Sequence, residues 1–157
     1  MGTPQCLAAP PGQARHGCRQ RVRLPARPGD DQDAFARAGI DDVFEPDGIE
    51  THDCFTVSQY LAIDHFGIIK PGRSSEAADS GVTRRDGKLP VNPSGGLIGV
   101  GHPVGATGIR MMLDGYLQVT DQAEGYQVPN ARRFATVNFG GSTATVVCTV
   151  ISRASGA

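Results

Sequence analysis

A glycine-rich segment that leads into a helical pattern constrains this chain more than any other feature. Residues 92–108 read NPSGGLIGVGHPVGATG, and a helix is predicted from about 104 to 121. Glycine allows close backbone approach and conformations that other residues avoid. The apolar positions of the predicted helix follow helical spacing: Ile109, Met112, Leu113, Tyr116 and Leu117. We therefore predict a tight loop that delivers a buried helix, with Pro103 in its first turn.

The remaining patterns indicate an α/β fold. The predicted elements are a helix over 31–38, a strand over 48–52, a helix over 57–66, a surface loop over 70–90, and a β-hairpin with strands over 134–138 and 143–151. Gly39 is a natural stop for the first helix, and Thr56 and Gln59 form a capping box for the second. The predicted apolar face of that second helix holds Val57, Tyr60, Leu61 and His65.

Charge divides the chain into two parts. Residues 1–30 hold five arginines and one acidic residue, a net charge of +4, whereas the rest carries −5. We expect 1–30 to be a disordered or non-homologous segment and 31–157 to be a folded domain. Two alternatives remain for the first segment: a targeting peptide, which its prolines disfavour, or a sequence made unrelated to the ancestral protein by a shifted start or frame.

Composition excludes several classes of function. The net charge of −1 gives no signal for binding polyanions, so nucleic acid is not an expected partner. The apolar runs are far shorter than the ~18 residues of a membrane-spanning helix. The four cysteines lack paired metal-ligand spacing and follow no secretory signal, so we expect a reduced, cytoplasmic protein without bound metal.

One histidine lies inside the glycine-rich segment. A phosphate-loop interpretation fails because Gly108 is followed by Ile109, and a dinucleotide fingerprint fails because Val104 replaces its last glycine. A helix N-terminus favours developing negative charge, so His102 is a candidate base or oxyanion donor. The alternative is a tight loop–helix packing motif that contains a hydrogen-bonded histidine.

A second group of reactive side chains, His52-Asp53-Cys54-Phe55, follows the predicted strand over 48–52. Strand ends are where α/β folds place their sites. Because adjacent strand residues point to opposite faces, His52 and Cys54 can face one way and Asp53 the other. A cysteine near an imidazole can exchange protons near neutral pH. The alternative is that Cys54 is a buried small apolar residue, and no second ligand pair supports zinc.

A third motif, Asn138-Phe139-Gly140-Gly141-Ser142, lies at the predicted hairpin turn. Its backbone N–H groups could bind an oxyanion. The alternative is an ordinary glycine turn.

Taken together, the three motifs resemble the C-terminal half of a thiolase. The resemblance is closest to sterol-carrier-protein-type thiolases and to bacterial acetyl-CoA acetyltransferases with an HDCF motif. It covers roughly residues 31–152, and the order and spacing of all three motifs match. It implies an α/β fold, the C-terminal half of the thiolase fold: a mixed sheet with a buried helix after the GHP loop and a C-terminal β-hairpin.

The resemblance also implies roles for individual residues. Thiolases cleave or form a carbon–carbon bond between acyl-CoA units, and a cysteine of their N-terminal half is the nucleophile. By resemblance, His102 activates that cysteine, His52 replaces an asparagine that orders a water in classical members, and Cys54 is the acid/base for the substrate α-carbon. Asn138 stands where classical members have a second cysteine, and the N–H of Gly140 is an oxyanion donor. The residues expected near the CoA pantetheine arm are Ser94, Gly95 and Gly96.

CoA and acyl-CoA are therefore the expected substrates, with no permanently bound cofactor. The resemblance implies acyl-CoA acyltransferase activity, in lipid and fatty acid metabolism. The expected partner is a thiolase N-terminal half or another copy of the chain in a homo-oligomer. Cys6 and Cys18 lack the strand–turn–helix context of an activated nucleophile, so the chain alone is expected to be inactive. The alternative is a non-catalytic CoA-ester-binding or interaction module. The intact motifs disfavour a thiolase-fold lyase acting on a sterol side chain.

Overall fold

The computed structural model describes residues 30–140 and 145–154. Its elements are α1 (Asp30–Arg37), β1 (Gly48–Thr51), α2 (Thr56–Phe66), α3 (Ser74–Asp79), α4 (Gly96–Val100), α5 (Thr107–Val119), a short 3₁₀ helix (Glu124–Tyr126), β2 (Arg133–Gly140) and β3 (Thr145–Ser152). None of the helices in these two ranges has the length and apolar character needed to span a membrane.

The three strands form one mixed sheet in the order β1-β2-β3. β1 runs parallel to β2, with Gly48 opposite Phe134 and Thr51 opposite Val137. β2 and β3 are antiparallel neighbours, with Val137 opposite Cys148. The mixed α/β class and the C-terminal β-hairpin predicted from the sequence are therefore confirmed.

Helices pack on both faces of this sheet. One face belongs to a hydrophobic core formed by Ile49, Ala62, Ile63, Phe66, Ile68, Ala77, Leu89, Val91, Ala135 and Val137. The other face packs against α5. A Cβ atom at Gly115 of α5 would lie 2.8 Å from the end of the Ile151 side chain and 3.7 Å from Phe134, so glycine lets this helix cross the hairpin closely.

Most of the predicted elements are present with shifted ends. α1 is followed by Gly39 at a φ of 65°, the left-handed conformation expected of a glycine that ends a helix. The prediction that 70–90 is a surface loop is wrong. This span contains α3, and its Ala77 and Leu89 side chains are fully buried because they complete the core beneath α2.

The second helix differs from its prediction in its cap and its buried side. Phe55 precedes the first residue of α2 and no side-chain hydrogen bond caps it, so the predicted capping box is wrong. The residues buried in α2 are Ala62, Ile63, Asp64 and Phe66. The predicted apolar face is the exposed one, since Val57, Tyr60 and Leu61 point away from the sheet.

The helix after the glycine-rich segment is buried along one side only. α5 begins at Thr107, later than predicted, because a turn precedes it in which the N–H groups of Ala106 and Thr107 donate to Pro103 O. Its buried residues are Thr107, Met111, Asp114, Gly115, Gln118 and Val119. The apolar face predicted to be buried is exposed, with Ile109 at 66% and Leu113 at 52%.

Candidate active site

Two histidines meet beyond the carboxyl end of β1. The imidazole rings of His52 and His102 lie at right angles, with 4.8 Å between their centroids. His52 is buried, whereas His102 is exposed in the loop between α4 and α5. The structure therefore brings together two residues from separate sequence motifs, at the place where a substrate could reach the exposed ring.

Strand geometry places His52 on the α5 side of the sheet. Side chains alternate along a strand, so His52 shares its side with Gly48 and Glu50. A Cβ atom at Gly48 would overlap the ring of Phe134, which lies on that same side. The N–H of His52 donates to Val137 O at 3.0 Å, which continues the bonding to β2 past the end of β1. Regular structure thus fixes the backbone of His52.

The turn into α5 orients His102. Its Nδ1 atom lies 2.7 Å from the Thr107 hydroxyl, which also donates to Pro103 O at 3.1 Å. Thr107 is the first residue of α5 and is buried. Because the first turn of α5 holds Thr107 in place, Thr107 in turn positions the solvent-exposed ring of His102.

A third side chain, that of Asn138, completes the contacts around His52. Its Oδ1 lies 2.7 Å from Nδ1 of His52, across the parallel pair of strands. The ring of Phe139 is also close, with 6.0 Å between ring centroids. Asn138 belongs to the motif predicted for the hairpin turn, but it lies in the regular part of β2, where its side chain faces α5.

Cys54 lies two residues after His52, at the start of α2. It is half-buried, and its Sγ is 3.7 Å from the Ser58 hydroxyl. Asp53 is buried on the other side of the chain, where its Oδ1 accepts a hydrogen bond of 2.6 Å from the N–H of Leu97. This bond ties the start of α4 to the end of β1, so the two histidine-bearing segments share one support.

The three residues proposed for the pantetheine arm form the loop at the start of α4. Ser94 binds Glu50 twice: its N–H donates to Oε1 at 3.1 Å and its hydroxyl donates to Oε2 at 2.9 Å. Gly95 is exposed at a φ of 98°, and Gly96 is buried at a φ of 61°. A Cβ atom at Gly96 would overlap the Asp53 carboxylate, so this glycine is required for the contact between α4 and the end of β1.

Glu50 is a fully buried acid beneath this loop. Burial raises the pKa of its carboxyl group from 4.5 to about 7, against the opposing effect of the two hydrogen bonds from Ser94. Asp114 adds to the increase in the Glu50 pKa and Arg110 reduces it. The loop that contains Ser94 is therefore hydrogen-bonded to a carboxyl group whose charge changes near neutral pH.

Asp114 and its partners extend the buried polar region along α5. Arg110 Nη1 lies 3.1 Å from Asp114 Oδ2, and the Tyr126 hydroxyl donates to Asp114 Oδ1 at 3.0 Å. Burial raises the pKa of Asp114, and burial together with this hydrogen bond raises the pKa of Tyr126 to about 12. The hydrogen-bonded tyrosine therefore stays protonated and donates at physiological pH.

Gly140 is the last residue of β2. It is exposed and lies opposite Thr145 in the hairpin. The following residues of the motif, Gly141 and Ser142, lie outside the described residues. The structure thus places Gly140 two residues beyond Asn138, on the strand that also supports His52.

The supporting roles of three residues were not predicted from the sequence: Glu50, Thr107 and Asn138. Glu50 offers a signal, because an acidic residue inside a predicted strand needs hydrogen-bond partners where that strand is buried. Thr107 and Asn138 lay inside recognised motifs, but their contacts cross from one segment to another. No local pattern marks such contacts.

The arrangement suits proton transfer next to a carbonyl group. The rings of His52 and His102 lie side by side, and Cys54 follows His52 by two residues. Imidazole and thiol are groups that transfer protons near neutral pH. In the described part of the chain, no group of three or more histidine, cysteine, aspartate and glutamate residues could hold a metal ion. Imidazole and thiol side chains, together with backbone N–H groups, offer acid–base and oxyanion chemistry.

Comparison with known sequences identifies the class. Residues 22–153 match the family described as thiolase C-terminal domain-like. This match covers most of the chain, and it includes both histidine motifs and the hairpin. The chain therefore belongs to the thiolase C-terminal domain-like family.

Individual relatives agree with this assignment. The chain is 37% identical over 140 residues to an acetyl-CoA acetyltransferase of Methanothermobacter thermautotrophicus. The aligned stretch covers 89% of this chain and 36% of the relative. It is 37% identical over 113 residues to sterol carrier protein 2 of Gallus gallus, covering 72% of this chain and 20% of the relative. The chain thus spans about a third or less of these relatives.

A solved structure supports the fold. The Ltp2-ChsH2(DUF35) aldolase superposes with a TM-score of 0.68 over 78% of this chain and 30% of that chain, at 17% sequence identity. At this identity the likeness concerns the fold alone.

Proposed function

We propose that this chain supplies the C-terminal catalytic half of a thiolase-type acyl-CoA acyltransferase. The observation that carries the proposal is the 4.8 Å approach of the His52 and His102 rings in a chain of the thiolase C-terminal domain-like family. Acyl-CoA and CoA are the proposed substrates. The nucleophilic cysteine comes from a thiolase N-terminal half.

Each site residue has a proposed role in this reaction. His102, whose ring is exposed, takes the proton of the nucleophilic thiol and then donates to the thioester oxygen. Cys54 removes or returns the proton on the α-carbon of the second acyl-CoA, next to the fixed ring of His52. The N–H of Gly140 stabilises the enolate oxygen that this step produces. Ser94, Gly95 and Gly96 form the loop that the pantetheine arm follows.

The proposed N-terminal half covers the apolar surfaces that this chain exposes. These surfaces consist of the outer faces of α2 and α5 and the adjoining loops, with Phe55, Val57, Leu61, Ile98, Val100, Val104, Ile109, Leu113 and Tyr116 exposed. An exposed apolar area of this extent marks an interaction surface. Because the exposed residues Val100 and Val104 each lie two residues from His102, a chain that covered them would bring its own groups to the site.

A hybrid enzyme tests the proposal. In the archaeal acetyltransferase, the stretch that matches this chain is replaced by residues 31–157, and CoA-dependent cleavage of acetoacetyl-CoA is measured. We expect turnover that falls by about 10²-fold or more in His102→Ala, as for removal of a general base. The full chain measured alone is the negative control.

A folded hybrid without turnover contradicts the acyltransferase proposal. If that inactive hybrid still binds an acyl-CoA, a non-catalytic CoA-ester-binding module becomes the better account. Thermal unfolding of the hybrid with and without acetyl-CoA separates this outcome from misfolding, because a ligand that binds only the native state raises the unfolding temperature.

A further inference from the structure

The two histidines of the site have different kinds of hydrogen-bond partner at Nδ1. The partner of His52 is Oδ1 of Asn138, at 2.7 Å. The partner of His102 is the hydroxyl of Thr107, also at 2.7 Å. The distances are equal, but the chemistry of the two partners is not, and this difference determines which ring nitrogen can carry hydrogen.

An amide oxygen accepts hydrogen bonds and cannot donate them. Nδ1 of His52 must therefore carry the hydrogen in its bond to Asn138. A neutral imidazole carries a single N–H, so Nε2 of the neutral His52 ring holds a lone pair. Asn138 thus fixes the tautomer of His52.

A hydroxyl both donates and accepts. The Thr107 hydroxyl lies 3.1 Å from Pro103 O as well as 2.7 Å from His102 Nδ1. When the hydroxyl donates to Pro103 O, Nδ1 of His102 donates to the hydroxyl. When the hydroxyl rotates, it donates to Nδ1 instead, and the ring hydrogen moves to Nε2. Thr107 therefore holds His102 in place without fixing its tautomer.

The start of α5 holds the Asn138 side chain in the orientation that His52 needs. A Cβ atom at Gly108 would lie 2.8 Å from Nδ2 of Asn138, closer than real side-chain carbons approach. The carboxamide nitrogen therefore packs against the bare backbone of Gly108 while the oxygen faces His52. Gly105, in the turn just before α5, has open space where its Cβ would be, which makes it a matched control position.

We propose that Asn138 is a positioning residue that locks His52 in the tautomer with hydrogen at Nδ1, and that His102 is the histidine free to change its protonated nitrogen. Neutral His52 then accepts a hydrogen bond at Nε2, from water or from a thiol. It donates to an oxyanion only after it gains a proton. His102, by contrast, can carry a proton to and from a reacting group. This division of catalytic roles rests on the proposed function, whereas the tautomer assignment does not.

Nitrogen NMR of the full chain tests the tautomer directly. Long-range ¹H–¹⁵N spectra of labelled protein are recorded in alkaline buffer, where the rings are neutral, and are assigned by single histidine replacements. We expect His52 to show a protonated Nδ1 and an unprotonated Nε2. In Asn138→Ala the hydrogen should shift to Nε2, and in Asn138→Asp it should stay at Nδ1, because a carboxylate also only accepts.

Two glycine variants keep the proposal testable if the asparagine variants misfold. Gly108→Ala displaces only the end of a flexible side chain, so the fold should persist while His52 shows the same change as in Asn138→Ala. Gly105→Ala should leave the His52 signals unchanged, and His65 on α2 is an internal reference in every spectrum. An Nε2-protonated His52 in the wild type, or no response to Asn138→Ala and Gly108→Ala, would overturn the proposal.

The hybrid enzyme separates failure of this inference from failure of the proposed function. If the NMR result holds and the hybrid is active, Asn138→Ala should lower turnover and Asn138→Asp should restore part of it. If the wild-type hybrid is inactive while the NMR result holds, the acyltransferase proposal fails and the tautomer assignment stands. If turnover is normal in Asn138→Ala, the assigned role for the His52 tautomer is wrong.

Discussion

The rings of His52 and His102 are perpendicular, with their centroids 4.8 Å apart, although fifty residues separate them in the sequence. The parallel pairing of β1 with β2 fixes the first ring, and the turn into α5 fixes the second. Asp53 joins the two supports by accepting a hydrogen bond from Leu97 in α4. The site is therefore a property of the packed domain and not of either motif alone.

Replacing Cys54 should remove proton transfer at the substrate α-carbon. In the hybrid enzyme, we expect Cys54→Ala to slow deuterium exchange into the methyl group of acetyl-CoA by about 10²- to 10⁴-fold, the usual contribution of a general acid or base. Mass spectrometry of acetyl-CoA recovered from D₂O measures this rate.

Cys148→Ala is the matched control for this experiment, because Cys148 is also a half-buried cysteine but lies on β3, where it packs against the hydrophobic core. It should exchange at the wild-type rate. Equal exchange in wild type and Cys54→Ala would show that another group acts on the α-carbon.

The stability of the chain should depend on the protonation of Glu50. The pKa of Glu50 is about 7 in the folded chain, whereas the ordinary glutamate value of 4.5 applies to the unfolded chain. The folded state therefore binds the proton more tightly than the unfolded state. The stabilisation that this proton provides is complete below about pH 4.5 and is lost as the pH rises toward 7. The loss amounts to ~3 kcal/mol, at 1.36 kcal/mol for each unit of pKa.

Glu50→Gln removes this titration while keeping a group of the same shape beside Ser94. Urea unfolding of both proteins at several pH values between 5 and 8 measures the difference in unfolding free energy. We expect the variant to gain stability relative to the wild type as the pH rises. A difference that stays constant with pH would mean that Glu50 does not titrate in this range.

Gly96 should tolerate no side chain. Alanine at this position must adopt a φ near 61°, and its Cβ overlaps the Asp53 carboxylate. A non-glycine residue in a strained backbone conformation costs about 1–3 kcal/mol. We expect Gly96→Ala to lower the free energy of unfolding by at least this much in urea titrations.

Gly99 provides the comparison within the same helix, because open space surrounds its Cβ position. Gly99→Ala should be neutral, or stabilising by up to ~1 kcal/mol, since alanine favours a helix more than glycine does. Equal effects of the two substitutions would show that the contact between α4 and Asp53 is not needed for stability.

The exposed face of α5 should make the chain associate when no partner covers it. We expect concentration-dependent sedimentation and binding of a hydrophobic dye by the wild type. The double variant Ile109→Gln and Leu113→Gln should reduce both, because it removes two side chains that are more than half exposed. A wild-type chain that is monomeric at all concentrations and binds no dye would contradict the proposed partner surface.

The strands could be predicted closely, whereas the buried sides of the helices could not. The hairpin and β1 follow from short β-branched runs next to glycines, a local signal. The apolar faces of α2 and α5 were also read correctly as apolar, but periodicity does not say what covers a face. In this chain those faces point outward, and smaller or polar residues such as Gly115 and Asp114 meet the sheet.

The reactive groups of the site could be predicted from the sequence, whereas the residues that hydrogen-bond to them or hold their loops could not. His52, Cys54 and His102 each lie in a motif that names a chemistry. Asn138 and Glu50 act through contacts with residues in other segments, and those contacts exist only after β1 pairs with β2 and α4 packs on the end of β1. The spacing of residues along the sequence does not show which residues of separate segments come into contact.

Trapping of an acyl-enzyme tests the central claim most directly. The hybrid enzyme is mixed with acetyl-CoA, quenched in acid and digested, and its peptides are examined by mass spectrometry. The account predicts one acetyl group on a cysteine of the N-terminal half, formed in the wild type and lost in His102→Ala. A folded hybrid that binds acetyl-CoA without becoming acetylated, or that is acetylated equally in His102→Ala, would contradict it.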